Sequence, residues 1–118
     1  MAAPPLEGIR VLEVGVFMAA PYATMQLADL GARVVKVEPA DGDPTRAAGP
    51  FLEQGRSSPF VRLNRGKESV VLDLKSPDGR EAFLRLAGAA DVVVENLRPG
   101  ALTRLGLGSD ALRRTTRT

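Results

Sequence analysis

Three consecutive valines at residues 92–94 run directly into the polar loop ENLRPG, and this junction constrains the fold more than any other feature of the chain. Apolar runs without alternation are typical of strands covered on both faces, as in parallel sheets. We therefore predict a strand at residues 91–95. Because open parallel sheets bind ligands beyond the carboxyl ends of their strands, Asn96 and Arg98 form a candidate anion-binding loop.

A strand–helix–strand unit occupies residues 8–37. Its predicted elements are a strand at residues 9–14, a helix at residues 21–30 and a strand at residues 33–37. Ala23, Leu27 and Leu30 share one face of this helix, and Gly31 is placed to end it in the left-handed conformation. The short connections between the elements favour a parallel pair of strands.

A second unit of the same kind follows. Its predicted elements are a strand at residues 69–74, a helix at residues 76–88 and the strand at residues 91–95. Ser76 supplies an N-cap and Pro77 suits the first helical position. The helical side chains predicted to face the sheet are Phe83, Leu84, Leu86 and Ala87. Together the two units predict an α/β fold, a Rossmann-like open parallel sheet with flanking helices.

Residues 38–67 link the two units and show no clear hydrophobic period. A connection of this length is usually functional or disordered, or else it contains an element that the pattern does not reveal. Its last four residues, NRGK at residues 64–67, place two cations around a glycine. They form a candidate phosphate-binding turn, with solvated surface charge as the alternative.

Several classes of protein are excluded by composition and by missing motifs. The chain has no cysteine and no histidine, so disulfides, thiolate metal sites and histidine-based catalysis are excluded, and we predict no metal site. The first strand–helix turn, residues 14–21, carries neither the G-x-G-x-x-G of a dinucleotide fold nor a P-loop. A nicotinamide-dependent dehydrogenase and a nucleoside triphosphatase are therefore disfavoured.

Location and macromolecular partners follow from the same composition. No apolar run approaches the roughly 20 residues of a membrane span, and no secretory leader precedes the first strand. We therefore predict a cytoplasmic protein without membrane contacts. Arg113, Arg114 and Arg117 lack interleaved aromatic side chains, so we interpret them as solvated surface and predict no nucleic-acid partner.

Blocks of sequence, in order and spacing, resemble the N-terminal portion of the family III CoA-transferases, the CaiB/BaiF family. The blocks are PLEGIRVLE at residues 5–13, APYATMQLADLGA at 20–32, VKVEP at 35–39, GDPTR at 42–46, LNRGK at 63–67, LDLKSPDG at 72–79 and VVVENLRPG at 92–100. The family includes carnitine and bile-acid CoA-transferases, formyl-CoA transferase and α-methylacyl-CoA racemase. The resemblance implies coenzyme A or acyl-CoA as the bound substrate, with no metal.

The resemblance also implies which residues contact CoA. The matching positions are Phe17 and Met18 in the first turn, Leu72 and Lys75 after the third strand, and Asn96, Arg98, Ala101, Arg104 and Leu105 after the fourth. In this reading Lys75 and Arg104 supply charge to the phosphates, while Leu72, Ala101 and Leu105 pack against the adenine. We assign these residues as cofactor-binding.

No catalytic residue is assigned. In family transferases the aspartate that attacks the acyl thioester lies beyond the segment that this chain matches, and it first forms a mixed anhydride. The carboxylates of this chain are interpreted as structural or solvated groups of helices and loops: Asp29, Asp78 and Glu81 on helices, and Glu38, Asp41 and Asp43 in the linking loop. By itself, the chain is expected to be inactive.

The resemblance divides the chain into residues 1–112, a Rossmann-like CoA-binding region that is incomplete relative to the full family fold, and residues 113–118, a divergent basic tail. It implies an acyl-CoA and a carboxylic acid acceptor as substrates, and a homodimer that is interlocked in full-length members. Two alternatives stay open: a racemase-type isomerase fragment, and a CoA-binding module without catalysis. Whether the chain is a truncation, a frameshift product or half of a split enzyme also stays open.

Overall fold

The computed structural model describes residues 2–115 of the 118-residue chain. The elements in chain order are strand β1 Arg10–Val14, helix α1 Ala19–Asp29, strand β2 Arg33–Glu38, a 3₁₀ turn Pro44–Ala47, helix α2 Ser58–Leu63, strand β3 Glu68–Val71, helix α3 Pro77–Ala89, strand β4 Val92–Glu95, helix α4 Ala101–Arg104 and helix α5 Ser109–Thr115. None of the helices within residues 2–115 combines the length and hydropathy that a membrane crossing requires.

The four strands form one parallel sheet in the order β3-β2-β1-β4. Leu12 of β1 lies in register with Val35 of β2 on one side and Val93 of β4 on the other. The chain builds outward from β1 to β3 and then crosses back to place β4 on the opposite side of β1. This reversal creates a topological switch point between β1 and β4, where open α/β sheets bind their ligands. The predicted Rossmann-like parallel sheet is confirmed.

The two faces of the sheet differ in character. Leu12 and Val14 belong to an apolar core with Phe83 and Ala87 of helix α3, which are fully buried. That core also contains apolar residues of α4, α5 and their connection: Leu102, Leu107 and Leu112. On the other face, Val11 packs with residues from α1 and β2 in a smaller cluster. Because side chains alternate along a strand, Glu13 lies on that second face together with Val11.

Helix α3 follows its sequence pattern closely. Ser76 accepts a hydrogen bond from the Gly79 N–H at 3.0 Å and caps the helix, and Pro77 occupies its first position. The predicted inward face is confirmed, since Phe83 and Ala87 are buried while Leu84 and Leu86 pack around them.

Helix α1 buries residues other than the predicted apolar set Ala23, Leu27 and Leu30. It begins at Ala19, and its buried residues are Ala20, Pro21, Thr24 and Met25. Of the three residues predicted to share one face, Leu27 is half-buried, and Ala23 and Leu30 are exposed. Thr24 turns inward since its hydroxyl donates to Glu13 at 2.7 Å, and a buried carboxylate requires such a donor. Gly31 ends the helix with a φ of +107°, as predicted.

The linking segment contains two short elements that its sequence pattern did not reveal. The 3₁₀ turn is capped by Asp43, and α2 is capped by Ser57. Helix α2 has six residues and no buried side chain, so it leaves no hydrophobic period to detect. Strand β3 ends at Val71, three residues before its predicted end, because residues 72–75 turn towards the cap of α3.

The predicted boundary after residue 112 falls inside α5, Ser109–Thr115. Residues 113–115 continue that helix. Arg117 and the rest of the predicted basic tail lie outside the described residues.

Candidate functional site

The loops that follow the four strands meet around one cleft at the carboxyl edge of the sheet. The cleft has a volume of about 480 Å³. Its lining comes from residues 14–16 at the end of β1 and just beyond it, residues 37–41 at the end of β2 and just beyond it, residues 72–75 after β3, and Leu97 and Leu105 after β4. Open α/β sheets bind their ligands at this edge, so the cleft is the candidate ligand site.

The structure brings three of the nine predicted CoA-contact residues into this cleft. Leu72 and Leu105 are half-buried in its wall, and Lys75 lies at its rim with an exposed side chain. Arg98 and Ala101 line a second hollow of about 500 Å³, between β4, α4 and α5. Five of the nine predicted residues therefore line a hollow: three line the cleft, and two line the second hollow.

The other predicted residues lie outside both hollows. Phe17 and Met18 project from the first turn with exposed fractions of 54% and 69%. Phe17 has a φ of +61°, which is unusual for a residue with a side chain, and such residues cluster at functional sites. Arg104 ends helix α4 and is exposed. The side chain of Asn96 forms hydrogen bonds with another loop of the protein.

Asn96 connects the two loops of the switch point. Its Oδ1 accepts from the Val16 N–H at 2.9 Å, and its Nδ2 donates to the Val16 carbonyl oxygen at 2.9 Å. An amide is suited to this pairing because it carries a donor and an acceptor on one short side chain. Asn96 thus sets the position of the first turn.

The loop after β3 presents Lys75 on a constrained backbone. The Lys75 N–H donates to Asp73 Oδ1 at 3.0 Å, and its carbonyl oxygen accepts from Arg80 Nη1 at 2.9 Å. Within residues 2–115, the side chains of Lys75, Arg98 and Arg104 form no hydrogen bond or ion pair. These three cations are available to an anion.

Beneath the cleft lies a group of buried charges that sequence reasoning missed. Lys36 is only 1% exposed, and its ammonium contacts Glu13 Oε2 at 2.8 Å, the Gly15 carbonyl oxygen at 2.9 Å and Asp43 Oδ2 at 2.9 Å. Asp43 Oδ1 accepts from the N–H and hydroxyl of Thr45. Burial raises the pKa of Asp43, but hydrogen bonds from Thr45 and the adjacent Lys36 ammonium outweigh burial and hold that pKa below its usual range.

Lys67 is the second cation of this buried group, so two lysines face the two carboxylates of Glu13 and Asp43. Its side chain is 2% exposed, and its ammonium contacts Glu13 Oε1 at 2.6 Å, Asn64 Oδ1 at 2.8 Å and the Pro21 carbonyl oxygen at 3.0 Å. Burial lowers the pKa of Lys67. Arg65 pairs with Asp29 at 2.7 Å. The interpretation of residues 64–67 as a phosphate-binding turn is therefore wrong, because both of its cations are already paired.

Glu38 holds the loop after β2 in place through hydrogen bonds. Arg46 donates to both of its carboxylate oxygens, at 2.8 and 2.7 Å, and Ser69 and the Asp43 N–H donate as well. The Arg46 guanidinium lowers the pKa of Glu38 to about 2. Arg46 also stacks on the Phe60 ring, 3.9 Å from its centroid. The loop that forms one wall of the cleft is thus tied to the body of the sheet.

A sequence profile matches almost the whole of this chain. It is that of CoA-transferase family III, and it matches residues 6–117. The chain belongs to CoA-transferase family III. The resemblance drawn from the sequence blocks is thereby confirmed.

Named relatives of this family III chain are longer than the chain. It is similar to succinyl-CoA:glutarate CoA-transferase of Mus musculus, with 47% identity over 105 residues that cover 88% of this chain and 24% of the relative. It is also similar to succinyl-CoA–D-citramalate CoA-transferase of Chloroflexus aurantiacus, with 45% identity over 109 residues that cover 92% of this chain and 27% of the relative. The chain spans about a quarter of the length of these relatives.

The family III fold is also found in a solved structure. The crystal structure of a CAIB/BAIF family protein from Brucella suis superposes with a TM-score of 0.89 and 40% sequence identity, covering 95% of this chain and 31% of that chain. The sheet and helices described above are therefore shared with part of that family member.

The family III sequence carried one signal for the buried charges. Glu13 and Lys36 occupy partner positions on neighbouring strands, each between apolar residues. A lone charged residue between apolar residues of a strand indicates a charge that is paired inside the fold. Within residues 2–115, no group of three or more His, Cys, Asp or Glu residues is arranged to hold a metal ion.

Proposed function

We propose that this chain forms the CoA-contacting part of a family III CoA-transferase, an enzyme that moves CoA from an acyl-CoA to a carboxylic acid. One observation carries the proposal: all four strand ends open on a single cleft whose rim holds Lys75, a cation that forms no ion pair within residues 2–115. The cleft volume of about 480 Å³ lies within the range of small-molecule sites.

The chemistry of the lining suits a nucleotide. Lys75 and Arg104 offer ammonium and guanidinium groups to the phosphates of CoA. Leu72 and Leu105 offer apolar surface to the adenine. Arg98 and Ala101 border the adjacent hollow, where a longer ligand would continue. The side chains of Phe17 and Met18 stand exposed beside the first turn and can cover a bound ligand.

Binding the nucleotide serves the reaction at the other end of CoA. Contacts remote from the thioester hold the ligand in place, and the enzyme can use that binding energy to orient the reacting carbonyl. The preorganised turn at residues 15–18 and the constrained backbone of Lys75 limit how far the bound nucleotide can move.

The substrate class follows from the relatives. The two named above act on succinyl-CoA with glutarate or D-citramalate, according to their names. Succinyl-CoA is therefore our proposed acyl donor, and a dicarboxylic acid our proposed acceptor. The same names favour CoA transfer over the racemase-type reaction.

We assign the nucleophile to none of the carboxylates of this chain that line the cleft. Glu38 is held by Arg46, and Asp73 accepts from the Lys75 N–H. Asp41 is exposed at the rim. A nucleophile must be aimed at the thioester by neighbouring groups, and Asp41 has no such setting among residues 2–115. The chain is therefore proposed to bind CoA without transferring it.

Isothermal titration calorimetry on the 118-residue chain tests the binding part of the proposal. We expect saturable binding of CoA and much weaker binding of pantetheine, which lacks the phosphates and adenine. A cooperatively folded chain that releases no heat of binding with CoA would refute it. An assay with succinyl-CoA and glutarate tests the second part, since transfer by the chain alone would contradict the absence of a nucleophile.

We also propose that the enzyme is a homodimer, as the resemblance to the family implies. Both outer strands of the sheet have an open edge within residues 2–115, and Val71 and Val92 there are exposed. Open edges with apolar side chains favour association. Sedimentation velocity measures the oligomeric state, and a monomer at all concentrations would contradict the proposal.

A further inference from the structure

The buried ammonium of Lys36 joins two loops that wall the cleft. Its three contacts reach Glu13 on β1, the Gly15 carbonyl in the first turn and Asp43 in the loop after β2. Gly15 itself lines the cleft, and so does the segment at residues 39–41 just before Asp43. Lys36 does not line the cleft, so it can act there only through these neighbours.

Lys67 provides a natural comparison within the same group. Its side chain is similarly buried and also pairs with Glu13, but its other contacts are the Pro21 carbonyl oxygen and Asn64 Oδ1. None of these three residues lines the cleft. The two lysines therefore share burial and charge, and they differ in whether their contacts reach the ligand cleft.

Stability alone is a weak explanation for Lys36. Two charges lose their hydration on burial, and well-packed apolar side chains often stabilise such a position equally well. What an ammonium adds is position: Lys36 donates to Glu13 Oε2 and to the Gly15 carbonyl oxygen, and its charge holds Asp43 Oδ2 at 2.9 Å. Among the buried side-chain atoms of residues 2–115, Asp43 Oδ2 has no hydrogen-bonding partner in good geometry, so its ion pair with Lys36 is what compensates its charge.

We propose that Lys36 is a positioning residue for CoA, which fixes the turn after β1 against the loop after β2 so that the cleft keeps the shape that binds the nucleotide. The inference rests on the proposed function, since it concerns the same cleft. It adds a residue that touches no ligand and that acts through the Gly15 carbonyl and Asp43.

The test compares Lys36→Met with Lys67→Met by calorimetry with CoA, well below the melting temperature of each variant. We expect Lys36→Met to weaken CoA binding about tenfold, because affinity depends on a preorganised site. Lys67→Met should change it by less than about threefold, because its contacts lie away from the cleft. Circular dichroism melts record the stability of both variants.

The double variant Lys36→Met/Asp43→Asn separates positioning from stability. It removes one positive and one negative charge together, so no unpaired buried charge is left at the pair. The asparagine that replaces Asp43 keeps a side-chain oxygen that can accept from Thr45. We expect this variant to recover stability relative to Lys36→Met without recovering CoA affinity.

Each outcome has a defined meaning. Absence of CoA binding by the folded wild-type chain refutes the proposed function. Wild-type binding with equal losses in Lys36→Met and Lys67→Met, or recovery of affinity together with stability in the double variant, overturns the positioning role. Failure of both Lys36 variants to fold also overturns it, because Lys36 would then be a purely structural residue.

Discussion

The side-chain amide of Asn96 holds the backbone of Val16 from both sides, donating to its carbonyl oxygen and accepting from its N–H, each at 2.9 Å. The two residues are 80 positions apart in sequence. They meet because β1 and β4 are neighbours in the sheet, so their loops share one edge. A single side chain therefore ties together both sides of the switch point.

Replacing Asn96 by aspartate tests this contact. Aspartate can still accept from the Val16 N–H, but it cannot donate to the Val16 carbonyl and it places a negative charge beside that oxygen. We expect the free energy of unfolding to fall by about 1–3 kcal/mol, because the half-buried Val16 carbonyl oxygen loses its donor. Urea denaturation followed by circular dichroism measures it.

Asn64→Asp is the matched control for that change. The carboxylate at position 64 would face Lys67, whose ammonium already donates to Asn64 Oδ1 at 2.8 Å. The added charge is therefore compensated, and we expect a smaller loss of stability. Equal losses in the two variants would contradict the role given to Asn96.

Lys75→Met tests the phosphate contact. The side chain keeps its approximate length but loses its charge, so we expect CoA binding to weaken about tenfold and to depend less on salt. Calorimetry at two ionic strengths measures both effects. Arg85→Met is the control, because Arg85 is an exposed cation of helix α3 that pairs with Glu81 and lines neither hollow. Equal effects of the two substitutions would count against a specific contact.

Acid should destabilise the fold through Glu38. The pKa of Glu38 is lowered from 4.5 to about 2, chiefly by Arg46. A carboxyl whose pKa is lower in the folded state stabilises the protein above its unfolded pKa, and this contribution is lost as the pH falls towards the folded pKa. The loss attributable to Glu38 is therefore expected between about pH 5 and pH 2.

Glu38→Gln should flatten the acid dependence of stability in that range. Denaturation midpoints measured from about pH 7 to about pH 2 test it. Glu81→Gln, at an exposed surface pair, serves as the control and should leave the shape of the curve unchanged. If the Glu38 variant follows the wild-type curve, another group carries the acid sensitivity.

Gly79→Ala should disrupt the entry to helix α3. A Cβ at this position would overlap the carbonyl group of Asp73, and backbone cannot move aside as a flexible side chain can. We expect a loss of roughly 1–3 kcal/mol or more, as for overpacked sites. Gly88→Ala in the same helix is the matched control, since its nearest neighbour would be the Thr115 carbonyl oxygen at 3.1 Å. Thermal melts that rank the two variants the other way would contradict this.

The parts of the fold that sequence predicted well are those with strong local signals. Ser76, Pro77 and the apolar face of α3 are recognisable because capping and helical periodicity involve residues close together in the chain. Gly31 is recognisable for the same reason. Helix α2 was not, because its six residues bury no side chain and so show no period.

The sequence predicted only part of the lining of the candidate cleft. Leu72, Lys75 and Leu105 do line one cleft, whereas Asn96 serves the backbone of Val16. The inward turn of Thr24 in α1 was not predictable from its helix alone. It depends on Glu13, which reaches it only after β1 has packed beneath the helix.

Sequence by itself determined the parallel α/β architecture, the loops at the strand ends and membership of the family, because these follow from local periodicity and ordered motifs. Only the tertiary structure decided which charges are buried and which remain free for a ligand. Lys36 and Lys67 pair inside the fold, while Lys75 stays unpaired among the described residues. The physical reason is that burial and ion pairing depend on distances between residues far apart in the chain, and those distances exist only once the sheet has assembled.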